Sequence, residues 1–104
     1  MARAASDGKA EEITILDVKR VSNVTDYYVI FTGSSQTHLR ALAKRLEDEM
    51  DARGVKAAQV DGYQSSGWLV LDYGDVIVHA MLSDSRQYYE LERLWGDAPE
   101  LAWA

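Results

Sequence analysis

The chain of 104 residues contains no cysteine, which excludes a disulfide framework, a thiolate nucleophile and a cysteine-ligated zinc site. It has no apolar run near the roughly 20 residues that a membrane-spanning helix needs. The first residues, MARAASDGKAEE, lack the apolar stretch of a secretory signal. These absences predict a soluble cytoplasmic protein, or an organelle counterpart, with no membrane partner. The length predicts one domain with a single core.

Positive charge is scarce in the second part of the chain. Residues 1–60 hold nine acidic and nine basic residues, whereas residues 61–104 hold eight acidic residues and two arginines. The whole net charge of −6 therefore lies in the second part. This charge disfavours sequence-specific nucleic-acid binding, since phosphate contacts need lysine and arginine, and it favours a basic protein partner. The alternative is that the acidic residues mainly keep the protein soluble.

The hydrophobic pattern predicts a mixed α/β fold with the element order ββαβββα. Two β-prone runs, residues 13–18 and 27–32, are expected to pair as a hairpin with a long loop. A helix follows, with one apolar stripe formed by Leu39, Leu42, Ala43, Leu46 and Met50. Ser34 or Ser35 supplies its N-cap, and Gly54 ends it.

Three strands and a second helix complete the predicted fold. Residues 56–61 form a strand that the strand–helix–strand order places in parallel with the strand before the helix. Residues 68–71 and 76–82 form a tight hairpin around Tyr73-Gly74, and a last helix continues to about Trp95. We therefore expect a single domain with a mixed sheet of about five strands and helices packed on it. Its predicted parts are a flexible N-terminal segment (1–12), the domain (13–98) and a C-terminal tail (99–104).

One junction in the sequence has the composition of a phosphate site. Gly33-Ser34-Ser35 lies between a strand and a helix, where nucleotidyltransferases hold a phosphate against the helix N-terminus. Those enzymes also need paired carboxylates on a following strand to bind Mg²⁺. Here Asp72 and Asp75 flank a glycine turn and are expected to diverge. We interpret the junction as a helix cap and keep a nucleotide-binding or nucleotidyl-transferring enzyme as the alternative function.

The two histidines give little support to a metal or catalytic site. Strand alternation puts His79 on one face with Ile77 and Met81, where a lone histidine is more often packed and hydrogen-bonded than a base or ligand. His38 opens the first helix, and neither H-x-x-x-H nor G-x-S-x-G spacing occurs. The sequence thus predicts no enzyme, no metal and no cofactor.

Aromatic residues are concentrated in the acidic part of the chain, where six of the ten lie between residues 63 and 95. Tyrosine and tryptophan are common at the centres of protein interfaces, although several here would pack the core instead. Tyr89 falls on the opposite side of the last predicted helix from Leu91. Rings among acidic residues indicate a docking surface for a basic partner.

Three blocks of sequence resemble the ribosomal silencing factor family, also called Iojap-like or RsfS. They are TDYYVIFTGSSQTHLRALA (25–43), GWLVLDYGDVIVHAM (67–81) and SRQYYELERLWGDA (85–98). The resemblance implies a domain related to nucleotidyltransferases but without their catalytic acids, and no enzymatic activity. It implies binding to ribosomal protein fourteen of the large subunit, which blocks joining of the small subunit and represses translation when nutrients are scarce. It also allows a homodimer, which some members form.

The resemblance also assigns hallmark positions to this sequence. They are Thr25, Asp26, Gly33, Ser35 and His38 in the first block; Trp68, Asp72, Gly74, Asp75, Val78 and His79 in the second; Arg86, Tyr89, Leu91, Glu92, Leu94 and Trp95 in the third. We expect a docking face on the second and third blocks, formed by Trp68, Asp72, Asp75, His79, Arg86, Tyr89, Glu90, Glu92, Leu94 and Trp95. In it the two tryptophans act as apolar anchors, the acids face basic side chains of the partner, and His79 presents a polar tip on an apolar sheet face.

Overall fold

The computed structural model describes residues 2–19, 25–61, 67–82 and 99–101. Within these ranges lie two helices, α1 (Ala2–Asp7) and α2 (Gln36–Ala52). The strands are β1 (Glu11–Asp17), β2 (Tyr27–Gly33), β3 (Gln59–Asp61), β4 (Trp68–Asp72), β5 (Val76–Leu82) and β6 (Glu100–Leu101). They form one sheet in the order β3-β4-β5-β2-β1-β6. In the part of the chain so described, no helix is long and apolar enough to cross a membrane.

The sheet is mixed, as the sequence predicted. β2 and β5 lie side by side in parallel at its centre, with Ile30 opposite His79. The other neighbouring strands are antiparallel, including the predicted β1–β2 and β4–β5 hairpins. The central strands are buried along almost their whole length and consist mainly of apolar residues, because a strand in this position is covered on both faces.

The strand after α2 does not pair as predicted. It was expected in parallel with β2, but β3 lies at the edge of the sheet and pairs antiparallel with β4. The parallel partner of β2 is β5 instead. All three residues of β3 are exposed, whereas β5 is buried from Ile77 to Met81. The more apolar strand takes the central position because burial there removes the most apolar surface from water.

The two faces of the sheet carry separate clusters of buried side chains. The face under α2, here called the α2 face, joins the sheet to four of the five residues of the predicted helix stripe, all except Met50. It contains Val29, Phe31, Leu39, Leu42, Ala43, Leu46, Leu69, Leu71, Val78 and Ala80. The other, here called the opposite face, contains Leu16, Val18, Tyr28, Ile30, Ile77 and Met81, with Trp68 and Val70 partly buried against them. Ile77 and Met81 thus share one face of the sheet, as strand alternation predicted.

Both predicted ends of α2 are confirmed. Ser35 is the N-cap, and its Oγ accepts a hydrogen bond from the backbone N–H of His38 at 3.0 Å. At the other end Gly54 has a φ of 77°, and its N–H donates to the carbonyl of Asp51 at 3.0 Å. A left-handed residue just after the helix satisfies carbonyl groups that have no helical partner, which is why glycine stands there.

Regular secondary structure lies within the N-terminal segment that the sequence predicted to be flexible. Residues Ala2–Asp7 form α1, and β1 already begins at Glu11. Ala5 is fully buried among the side chains of the α2 face. Its methyl group allows close packing against α2, a tertiary contact that local polarity could not reveal.

The chain also contributes a strand from the predicted C-terminal tail. Glu100–Leu101 pair with Leu16 and Ile15 of β1, and the N–H of Asp17 donates to the carbonyl of Pro99 at 2.9 Å. The sheet therefore has six strands rather than about five. A two-residue strand is too short to produce an alternating pattern in the sequence. The last predicted helix lies outside the described residues.

Candidate partner-binding face

The described part of the docking face belongs to the β4–β5 hairpin and consists of Trp68, Asp72, Asp75 and His79. The strands are antiparallel, and Gly74 in the turn has a φ of 84°, in agreement with the predicted tight hairpin. Trp68 and His79 lie on the strands, whereas the two aspartates flank the turn. The structure thus separates these residues into a pair of rings on the opposite face and an acidic pair at the turn.

The carboxylate of Asp72 is part of the turn itself. Its Oδ1 accepts a hydrogen bond from the N–H of Gly74 at 2.8 Å. Asp75 is exposed, and its backbone carbonyl accepts from the N–H groups of Asp26 and Tyr27, both at 3.0 Å. The turn is therefore fixed to the start of β2 by bonds that do not use the Asp75 carboxylate.

Two further carboxylates lie at the same end of the sheet. Asp17 ends β1 opposite Tyr27, and Asp26 directly precedes β2. Lys19 partly neutralises the charge of Asp17, since its Nζ lies 3.8 Å from Oδ2 of that residue. Its Nζ also donates to the hydroxyl of Tyr27 at 3.0 Å, and this bond, followed by the charge of Asp17, raises the pKa of Lys19. Sequence reasoning did not predict that Asp17 lies at this end of the sheet, although hairpin pairing brings the end of β1 beside the start of β2.

The acidic end is not built like a metal centre. Among the described residues, no group of three or more histidine, aspartate and glutamate side chains is arranged to hold a metal ion. Asp72 is engaged by the turn, and Asp75 lies beyond it. The arrangement suits long-range attraction of a basic surface better than coordination.

The two rings on the opposite face are joined by a hydrogen bond. The indole Nε1–H of Trp68 donates to Nδ1 of His79 at 3.0 Å, and the ring centroids are 5.8 Å apart. On the other side, the ring of Tyr28 lies 5.1 Å from that of His79. Trp68, His79 and Tyr28 therefore form a row across β4, β5 and β2.

The burial of His79 corrects one expectation. The imidazole was expected to present a polar tip at the surface, but only 7% of the residue is exposed. Burial lowers the pKa of His79 from 6.5 to about 4, so the ring is neutral at pH 7. The imidazole is therefore largely shielded from solvent and contacts Trp68, which is partly buried and lies beside it.

The Gly33-Ser34-Ser35 junction is occupied by the protein's own groups. The N–H of Ser34 donates to Nδ1 of His38 at 2.9 Å, and Ser35 caps α2 through its hydroxyl. Because Nδ1 accepts, the Nε2–H of His38 donates to the carbonyl of Gly8 at 2.8 Å. The junction thus works as a cap and as an attachment for the chain between α1 and β1.

The third sequence block cannot be placed in this geometry. Its docking-face members, Arg86, Tyr89, Glu90, Glu92, Leu94 and Trp95, lie outside the described residues. Their place in the docking face stays a prediction. The part of the face with defined geometry is therefore the hairpin.

Comparisons with known proteins agree with this architecture. A family model described as a ribosomal silencing factor during starvation matches residues 1–103. The ribosomal silencing factor RsfS of Bacillus subtilis is 41% identical over 98 residues, 94% of this chain and 83% of the relative. A Mus musculus protein named "Mitochondrial assembly of ribosomal large subunit protein 1" is 33% identical over 89 residues, which are 83% of this chain and 39% of the relative.

Solved structures extend the similarity to the fold. A crystal structure of a protein from Chromobacterium violaceum matches with a TM-score of 0.87 at 32% identity, covering 98% of this chain and 84% of the other. The match therefore includes the six-stranded sheet and α2, not the hairpin alone. Since the family model and the bacterial relative both span nearly the whole sequence, the chain belongs to the RsfS family of ribosomal silencing factors.

Proposed function

We propose that this protein binds the large ribosomal subunit through ribosomal protein fourteen of that subunit and sterically blocks joining of the small subunit. The observation that carries the proposal is the family match over residues 1–103. The name of the murine relative, which refers to assembly of the ribosomal large subunit, supports the same particle as partner. In the cell, this activity would repress translation in the cytoplasm under nutrient limitation.

The charges of the described residues support a basic partner. Asp17, Asp26, Asp72 and Asp75 lie at one end of the sheet, and Asp75 is exposed at the tip of the β4–β5 hairpin. An acidic surface accelerates association with a basic protein and sets its orientation. A protein held in this way on the subunit interface would exclude the small subunit by its volume alone, so the proposal needs no catalytic step.

No observation favours the alternative of a nucleotide-binding enzyme. The Ser34 N–H and the Ser35 hydroxyl, which a phosphate would need, are already bonded to His38. A calorimetric titration with ATP and Mg²⁺ separates the two functions. Micromolar binding that Ser34→Ala abolishes would favour the enzyme and contradict a purely steric factor.

A subunit-joining assay tests the proposal directly. Purified large subunits are incubated with the protein before small subunits are added, and the joined ribosome is measured by light scattering. We expect joining to fall in proportion to the large subunits occupied, and no effect when the protein is mixed with small subunits and removed by gel filtration before large subunits are added. Joining that proceeds normally at saturating protein, or failure to co-sediment with large subunits at physiological salt, would contradict the proposal.

The oligomeric state is tested in the same preparation. The homodimer that the family resemblance allows is measured by sedimentation equilibrium, with and without ribosomal protein fourteen. If a dimer forms through the docking face, the added partner should convert it into a one-to-one complex.

A further inference from the structure

The hydrogen bond between Trp68 and His79 joins two adjacent strands on the opposite face of the sheet. Trp68 pairs with Met81 and His79 pairs with Val70, so the two rings are diagonal neighbours across β4 and β5. Diagonal positions lie within reach of aromatic side chains, and here the donor–acceptor distance is 3.0 Å. The indole is therefore fixed by a directional bond in addition to its packing against the opposite face.

The chemistry of the two groups defines which form of His79 makes this bond. An indole nitrogen can only donate, so Nδ1 of His79 must be the acceptor and the proton of the neutral ring lies on Nε2. A doubly protonated ring would place a second donor against the indole N–H. The bond thus requires the neutral ring with its proton on Nε2.

Packing alone does not explain a histidine at this position. Nε2 of His79 is buried and has no hydrogen-bond partner among the described residues. A buried polar group without a partner destabilises the folded state, whereas an apolar side chain of similar shape would not. What the imidazole offers and an apolar side chain lacks is an acceptor for the indole of Trp68.

We propose that His79 is a positioning residue of the docking face, which holds the Trp68 indole in the orientation that the partner recognises and does not itself touch the partner. The inference rests on the proposed function, because it assumes that Trp68 is a contact with ribosomal protein fourteen. Trp68, which is only partly buried, then forms the contact, while the buried imidazole fixes the angle of its indole. Rings held in one orientation lose less entropy on binding, which raises affinity.

Two substitutions of closely similar shape test the role of the acceptor. His79→Asn keeps an oxygen at the place of Nδ1, whereas His79→Leu has the same branching and no polar atom. In the ¹⁵N–¹H spectrum, the indole resonance of Trp68 is assigned with Trp68→Phe. We expect it to stay close to its original position in His79→Asn and to move upfield in His79→Leu, because the indole proton loses its acceptor.

Binding and stability are measured on the same variants. We expect His79→Leu to bind purified ribosomal protein fourteen about tenfold more weakly than His79→Asn, the factor that loss of one well-aligned hydrogen bond produces. His79→Leu should nevertheless have a Tm no lower than that of His79→Asn, since removal of a buried polar side chain offsets the loss of the acceptor for the partly buried indole N–H. If His79 had only a structural role, the variant that binds more weakly would also be the variant with the lower Tm.

The outcomes separate this inference from the function on which it rests. Equal affinities of the two variants, or an indole resonance that stays in place in His79→Leu, would overturn the positioning role. If the original protein does not bind the ribosomal protein, the proposed function fails, and the indole resonance still decides whether His79 holds Trp68.

Discussion

Gly33 lies so close to Leu39 that a β carbon at position 33 would stand 2.7 Å from Cδ2 of that leucine. Leu39 belongs to α2 and is fully buried between that helix and the sheet, so its side chain has little room to move. We expect Gly33→Ala to lower the free energy of unfolding by about 1 to 3 kcal/mol, the range typical of overpacking, in urea denaturation.

A second glycine provides the control for this prediction. Gly54 has nothing within 4 Å of a β carbon but a φ of +77°. Gly54→Ala should therefore cost about 1 to 2 kcal/mol through backbone strain alone. A Gly33→Ala variant as stable as the original protein would contradict the close contact with Leu39.

His38 connects the chain after α1 to the β2–α2 junction through its two ring nitrogens. His38→Ala removes the donor to Gly8 and the acceptor of the Ser34 N–H, so we expect a loss of about 1 to 3 kcal/mol in the free energy of unfolding. The amide of Ala10, which donates to the carbonyl of Ala5 at 2.9 Å, should also exchange its hydrogen faster.

The neighbouring Thr37 is exposed and serves as the matched control. Thr37→Ala should change the free energy of unfolding by no more than about 0.5 kcal/mol. If exchange at Ala10 is the same in His38→Ala as in the original protein, the imidazole does not hold the N-terminal part of the chain.

Burial of His79 predicts a pH-dependent stability. The pKa is lowered from 6.5 to about 4 in the folded state, so between these values the unfolded chain binds the proton more readily. The neutral His79 therefore contributes its full stabilisation above pH 6.5. This stabilisation is lost progressively as the pH falls from 6.5 through the folded-state pKa of about 4. From this group alone we expect the free energy of unfolding to be about 3 kcal/mol lower at pH 4 than at pH 7.

Comparison with His79→Asn isolates this effect, because the variant keeps a polar side chain that does not titrate. Urea denaturation of both proteins across pH 4 to 7 gives the difference directly, since the carboxylates contribute equally to the two curves. Parallel curves would show that His79 is not protonated selectively in the unfolded state.

The charges of the docking face give a prediction on affinity. Asp75 is exposed at the hairpin turn, and Glu92 belongs to the third block, outside the described residues. Reversing both to lysine should weaken binding to ribosomal protein fourteen by about 1 kcal/mol or more, measured by calorimetry, with a smaller effect at high salt.

A charge reversal on the outer side of α2 is the matched control. The side chain of Asp48 is 63% exposed, and α2 covers the face of the sheet that lies away from Trp68. Asp48→Lys should leave the affinity nearly unchanged. An equal loss of affinity in Asp48→Lys and in the docking-face variant would indicate a general electrostatic attraction. It would refute this placement of the docking face.

Asp72 combines a structural and an electrostatic role, which two substitutions separate. Asp72→Asn keeps an acceptor for the Gly74 N–H, whereas Asp72→Ala removes it and should lower the free energy of unfolding by about 1 kcal/mol. Both remove the charge, so both should weaken binding to a similar extent. If affinity falls only in Asp72→Ala, the turn rather than the charge is what the partner requires.

The docking face shows how far sequence reasoning reaches at a site. The sequence predicted correctly that His79 shares a face with Ile77 and Met81, because strand alternation is local. It did not predict that the imidazole is buried and bonded to Trp68, since that depends on how β4 pairs with β5. The position of the third block stays a prediction from the sequence.

The sequence by itself determined the helix α2, a serine cap at position 34 or 35, its end at Gly54 and the tight turn at Gly74, and the structure selected Ser35 as the cap. Each depends on a few neighbouring residues, whose hydrogen-bonding groups and backbone preferences act within one turn of chain.

Only the tertiary structure decided the order of the strands, the packing of α1 and the addition of β6. β5 rather than β3 became the partner of β2 because two apolar strands bury each other at the centre of a sheet. Such pairings join residues that are far apart in the chain, and their free energy depends on the surface that the whole fold removes from water.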